Sequence, residues 1–184
     1  MISSAVLGGG IGERSRILNA QVSHGYRRSD PARHLAVLAD EAGAQGDGVG
    51  LMTAADVRAY GSAYDGGVDA VASAGLGVRG WAATGRGPRS RCGRTRSTSS
   101  WPFPVALSDA ALVNAVATAT EAKVQALVGA GYDCSGTPTD AVCVATRSPR
   151  PGHDVHAFAG PRSLWGPCWH GPVHAAVYTT AAPS

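Results

Sequence analysis

The sequence predicts a single mixed α/β domain, with a mixed sheet, antiparallel hairpins and at least two principal helices. Three observations predict it. Residues 30–43 and 108–131 carry helix start and stop signals. The turn Asp65, Gly66, Gly67 separates two apolar runs, as a hairpin requires. Short apolar runs at 49–52 and 141–145 each follow a helical stretch, the pattern of strands joined through helices.

In chain order, residues 3–7 read as a short strand running into Gly8, Gly9, Gly10 and Gly12. A phosphate-cradling glycine loop leads from a strand into a helix, whereas residues 16–22 read as another extended run, so a glycine-rich turn is expected here. Asn19, His24, Tyr26 and Asp30 cluster at the end of that run. Asp30 and Pro31 suit the N-cap and first position of a helix over 32–42, closed by Gly43. Asn19 and His24 have no such capping role, and loops after strands are where sites collect. Thr53 and Asp56 resemble a capping box opening a brief helical turn. The hairpin arms are 57–63 and 68–74. Residues 84–103 lose all apolar period and read as a long loop of Gly, Pro, Arg and Ser.

The most informative stretch is 108–140. Ser108 can accept from a first-turn N–H, Asp109 favours the positive end of the helix dipole, and Gly129 and Gly131 supply the stop. At 100° per residue, Leu112, Val113, Val116, Val124 and Leu127 form one apolar face. Asn114, Thr118, Glu121 and Gln125 form the opposite stripe. Thr120 and Lys123, the only lysine of the chain, fall inside the apolar arc. An ammonium buried without a partner costs several kcal/mol, roughly, so Lys123 must snorkel, pair or face a cleft. Residues 141–145 then read as a buried strand.

Composition narrows the function classes. The chain of 184 residues has room for a real core. Its net charge of +3 is local, because Arg86, Arg89, Arg91, Arg94 and Arg96 sit in one low-complexity run without interleaved aromatics. A solvated loop is therefore expected, and no nucleic-acid partner. No stretch approaches the roughly 20 apolar residues of a membrane span, and no basic-then-apolar leader is present. The expectation is a cytoplasmic protein with no membrane partner. Cys92, Cys134, Cys143 and Cys168 form no CxxC pair, so reduced thiols are the default. His153, Asp154 and His156 share a Pro-rich loop but lack a third defined ligand, and no metal site is assigned. The oligomeric state is left open.

At these residues the chain resembles the adenosylcobinamide amidohydrolases of corrinoid salvage. The resemblance is carried, in order, by SSAVLGGGIGER, LNAQVSHGY with SDPARHLA, GVGLMTAADVRA, DGGVDAVASAGLGV, LSDAALVNAVATATEAKVQAL, GTPTDAVCVA and FAGPRSLWG. It implies hydrolysis of the amide joining the corrin ring's propionyl group to aminopropanol, giving adenosylcobyric acid and 1-aminopropan-2-ol. The partner so implied is a small-molecule corrinoid substrate, whose cobalt is not a cofactor of the protein. No cofactor is expected.

Amide hydrolysis needs an activated water or nucleophile, donors for the oxyanion and an acid for the leaving amine. The working assignment makes Asp140 general base or water-positioning group, Lys123 oxyanion stabiliser or proton donor, and His24 acid for the leaving amine. Thr137 and Thr139 orient groups in the turn, and Asn19 completes the pocket. Thr120 and Glu121 belong to the ATATEAKVQAL motif and are placed with substrate binding, although helical geometry turns Glu121 away from Lys123. An acyl-enzyme route through a Thr or Cys stays open. The alternative function is a non-catalytic corrinoid-binding protein, or an inactive remnant of the enzyme.

Two segments depart from the family pattern. Where an apolar strand of the type GT(I/V)NIVVAVP belongs, this chain has RTRSTSSWPFP, and 166–172 places two prolines where a helix belongs. One permissible coding of 96–104, read two bases later, spells Val-Asn-Ile-Val-Val-Ala-Val-Pro. A coding of 166–172 read the same way spells Ala-Leu-Leu-Ala-Arg-Ala. Both segments read as out-of-frame translations, so Cys92, Cys168 and His170 are not proposed as nucleophiles or ligands.

Overall fold

The computed structural model describes residues 1–83 and 98–181. The arginine run and Cys92 lie outside them.

Three short strands open the chain: β1 (Ile2–Ser3), β2 (Gly10–Ile11) and β3 (Arg16–Gln21). Helix α1 (Pro31–Glu41) returns the chain to β4 (Gly48–Thr53), which pairs parallel with β3 along its whole length. The hairpin β5 (Gly61–Asp65) and β6 (Val68–Ser73) follows, its turn made by Gly66 and Gly67 at φ +54 and +87. Then come β7 (Thr98–Phe103), β8 (Ala106–Leu107), α2 (Asp109–Gly129), β9 (Ala141–Thr146), β10 (Val155–His156) and α3 (Gly166–Ala181).

The main sheet has six strands in the order β2-β1-β9-β7-β6-β5, antiparallel except for the β7–β9 pair. Parallel neighbours need a crossover, and α2 provides it. Strand alternation assigns the two faces. Val142 and Val144 of β9, with Val68, Ala70 and Ala72 of β6, join the core under α2 and α3. Ala141 and Cys143 point the other way, onto Val49 and Leu51 of the β3–β4 ribbon. Met52 faces the far side of the ribbon and packs with Leu35 of α1. The layers are thus α2/α3, main sheet, ribbon and α1, a mixed α/β architecture as expected.

Several expectations are corrected. The strand expected at 3–7 shrinks to Ile2–Ser3, with Leu7 making only an isolated bridge to Gly50, because the chain turns at Gly8 with φ +65. Asp30 precedes α1 but makes no capping hydrogen bond; Arg28 takes its carboxylate through two bonds of 2.9 Å. Thr53 and Asp56 open no helix: each side chain closes a two-residue turn, onto Ala55 N and Arg58 N. The first arm of the hairpin starts at Gly61 rather than 57.

The largest corrections fall on the two atypical segments. The described end of the expected 84–103 loop is strand β7, held between β6 and β9. Residues 166–172 do not break a helix but begin α3, with Pro172 inside it and Trp169 fully buried. Trp169 Nε1 donates to Ala159 O at 3.2 Å and its ring meets Phe103 edge-on at 5.3 Å, so this apolar contact holds the helix against the sheet despite the proline.

Helix α2 buries a different face from the one its large residues suggest. Ala111, Ala115, Ala119, Ala122 and Ala126 form the inner stripe with Leu112 and Leu127, whereas Val113 is exposed. Small side chains let the helix lie close to its neighbours, and the valines fall on the flank. Thr118, expected on the polar stripe, is buried and donates to Asn114 O at 3.1 Å. Thr120, expected inside, is exposed and donates to Val116 O at 2.8 Å.

Candidate active site

The site is built where α2 ends and β9 begins. Ser108 Oγ accepts from Ala111 N at 3.2 Å, fixing the start of the helix. Ala130 N closes on Ala126 O at 2.9 Å and Gly131 takes φ +87, fixing its end. The chain then folds back through Cys134 and Gly136 so that Asp140, at the head of β9, meets the last turns of α2.

There Lys123 Nζ donates to Asp140 Oδ2 at 2.5 Å. The two side chains are only 10% and 12% exposed. The other carboxylate oxygen, Oδ1, accepts from Thr137 Oγ1 at 2.5 Å and from Thr137 N at 3.2 Å. The carboxylate is thereby fixed in orientation by Lys123 and Thr137, and the ammonium is paired rather than snorkelling. Removing one member of such a pair leaves the other charge buried alone, at a cost of roughly 3–5 kcal/mol.

Gly136 makes this approach possible. At φ +142, a Cβ there would stand 2.2 Å from Asp140 Oδ2 and 2.7 Å from Lys123 Nζ. Beside the pair, Thr139 Oγ1 is buried without a hydrogen-bond partner among the described residues. Residues 74–83 lie across the same turn. Gly80 N donates to Gly136 O and Ser135 N to Gly80 O, both at 3.0 Å, and Trp81 Nε1 donates to Asp133 Oδ1 at 2.9 Å.

Asn19 stands on the ribbon face turned towards the sheet. Its Nδ2 donates to the hydroxyl of the buried Ser73 at 3.2 Å, and its Oδ1 is buried without a donor among the described residues. Ser73 pairs with Thr98, and Thr98 with Ala141, so Ser73 and Asp140 lie at the same end of the sheet, about 10 Å apart by two strand spacings. A cavity of about 470 Å³ opens beside Asn19 and Ser73, walled by Ile17, Leu51, Val57 and Val71 with Tyr60 at its side.

Of the sequence-nominated residues, the fold brings together Lys123, Asp140, Thr137 and Thr139, and it sets Asn19 at the same sheet end. His24 is exposed in the turn after β3, and among the described residues its side chain is not one of those bonded to the pair. Glu121 is exposed, on the side of α2 away from Lys123, as its helical position requires. Sequence reading missed Gly136, although it lies within the GT-x-TDA turn, and Ser73, which closes an apolar run without any distinguishing signal. His153, Asp154 and His156 border a smaller cavity with Arg147 and Arg150. Among the described residues no group of three or more His, Cys, Asp or Glu could hold a metal ion, and no helix is long and apolar enough to cross a membrane.

A mixed α/β fold with a buried lysine–carboxylate pair at one sheet end defines the class: a domain that holds fixed charges at the same sheet end as an open, largely apolar cavity. Comparison with known proteins gives the family. The adenosylcobinamide amidohydrolase family model matches residues 1–183, and the chain belongs to that family. It is also similar to a protein of Methanosarcina mazei named adenosylcobinamide amidohydrolase, 29% identical over 165 residues that make up 87% of this chain and 72% of the relative. No solved structure matches.

Proposed function

We propose that the protein hydrolyses the amide of adenosylcobinamide to adenosylcobyric acid and 1-aminopropan-2-ol, a step in the salvage of cobalamin precursors inside the cell. The observation that carries this reading is the family match over residues 1–183. The Lys123–Asp140 pair supports it by supplying suitable chemistry.

In this reading Asp140 orients a water against the amide carbonyl and takes its proton as the C–O bond forms. The positive charge of Lys123 stabilises the oxyanion, and its ammonium gives a proton to the amine as the C–N bond breaks. Asp140 then returns the water's proton to Lys123 along their hydrogen bond, restoring both groups. The acyl carbon has gained hydroxyl and the amine a proton. Lys123 replaces His24 as the acid here, because it already touches the base. Thr137 holds the carboxylate, and the unpartnered Thr139 hydroxyl is offered to the substrate.

The test is incubation of the purified protein with adenosylcobinamide, followed by chromatography for adenosylcobyric acid. Product is expected, with turnover falling at least about a hundredfold in Asp140→Asn and in Lys123→Met. Near-normal turnover in both variants would remove the assignment. Tight corrinoid binding without product would identify a non-catalytic binding protein instead.

A further inference from the structure

We infer that the cavity between the β3–β4 ribbon and the β5–β6 hairpin is the subsite for the flat body of the corrinoid, with Ser73 and Asn19 forming its polar floor. The inference rests on the hydrolytic reading above and adds where the bulk of the substrate lies.

The ribbon covers only part of the main sheet. It packs on β9 through Ala141 and Cys143, whereas the same face of β6 and β5 carries Val71, Asp69, Ser62 and Tyr64, all exposed. The other faces of these two strands are buried under α3, where Gly61 approaches the Ala176 carbonyl and Ala70 and Ala72 enter the core. A step is left between the edge of the ribbon and the open half of the sheet, and the cavity lies in that step.

Its walls are apolar, with Val71 37% and Tyr60 58% exposed. Among the described residues no charged side chain lines it. The floor is polar and incompletely hydrogen-bonded: Asn19 Oδ1 has no donor, and Asn19 is the one partner of the Ser73 hydroxyl among the described residues. This combination suits a planar, methyl-bearing macrocycle with neutral carboxamides on its rim, because apolar edges find apolar walls and amide N–H groups find an unpaired oxygen. At about 470 Å³ the cavity takes one edge of such a ring, and the rest lies over Ser62 and Tyr64. The distance of about 10 Å from Ser73 to Asp140 is one that a ring edge and its propionyl arm can span.

Equilibrium binding of adenosylcobinamide, in the dark and in the Asp140→Asn background, reads the subsite without turnover. Val71→Trp fills the cavity, and Tyr60→Glu places a charge at its mouth from an exposed loop position. Each is expected to weaken binding at least about tenfold, the effect of losing one well-buried apolar contact. With Asp140 restored, Ser73→Ala is expected to raise KM more than it lowers kcat. Thermal unfolding checks that the variants fold, and Tyr60→Glu, lying outside any strand, keeps the test open should Val71→Trp fail. Unchanged binding in Tyr60→Glu together with a folded Val71→Trp would overturn the subsite. Absence of adenosylcobinamide binding without the cavity substitutions would instead remove the hydrolytic reading, and the subsite with it.

Discussion

Strands β7 and β9 lie side by side at the centre of the sheet, parallel over Thr98–Phe103 and Ala141–Thr146, yet they are opposites in sequence. In β9 every second residue serves one core: Ala141 and Cys143 the ribbon, Val142 and Val144 the helices. β7 reads Thr-Ser-Ser-Trp-Pro-Phe, with a proline that has no N–H to offer its neighbours. The contrast teaches that β9 is a strand by its own sequence, whereas β7 is one by position. The crossover through α2 and the antiparallel edge of β6 leave a strand-shaped place between them, and the chain fills it.

The sharpest way to break this comparison is to give β7 a sequence like that of its partner. Replacing residues 97–104 by Val-Asn-Ile-Val-Val-Ala-Val-Pro is expected to stabilise the protein by about 3 kcal/mol or more, the burial of a few apolar side chains, measured as a raised urea midpoint. An unchanged midpoint would mean that β7 is not the weaker strand. The same sequence is the out-of-frame reading of the segment, so resequencing the gene bears on it too.

A smaller effect belongs to β9. Burial pushes the Cys143 thiol from 9.0 up to about 11. The folded state therefore holds its proton longer than the unfolded chain, and the associated stability is complete below pH 9.0 and lost as pH rises through about 11. Urea titrations at pH 8 and 10.5 are expected to show a steeper alkaline loss in the native protein than in Cys143→Ala, by about 2 kcal/mol at most. Parallel pH profiles would place Cys143 outside the core of β9.

The smallest effect concerns the crossover that joins the two strands. Ser108→Ala removes the cap of α2 and is expected to cost about 1 kcal/mol, whereas Asp30→Ala at the start of α1 is expected to leave the urea midpoint unmoved. Arg28 lowers the Asp30 carboxyl to about 2 by hydrogen bonding, but that pair is exposed and supports no helix. Equal losses at both positions would show that Asp30 caps after all.

Local signals in the sequence were legible where one residue type has one physical job. The Ser108 cap, the Gly43 and Gly131 stops, the Gly66–Gly67 hairpin and the inward aspect of Lys123 all follow from side-chain chemistry and a helical or strand period. Long-range packing was not legible. The large residues Val113, Val116 and Val124 point the predicted apolar face towards Thr120, while the stripe that packs is alanine, which periodicity undervalues. β7 was missed because its pairing partners, not its residues, make it a strand. At the site, Lys123, Thr137 and Asp140 were nominated from one continuous stretch, and they meet. Ser73 was not nominated, because its significance depends on Asn19, 54 residues away.

That difference in sequence separation bears on the order of assembly during synthesis. Lys123 and Asp140 are 17 residues apart and can find each other as soon as α2 and its following turn have formed. The sheet they serve closes much later along the chain, because Ser3 must pair with Cys143 and its hydroxyl must reach Val142 O, 139 residues on. Until β9 emerges from the ribosome, β1 has no central partner and its edge stays open to other chains. Ile2 and Ser3 thus gain their central partner only once β9 is made, and a chain cut before β9 would present an unpaired edge.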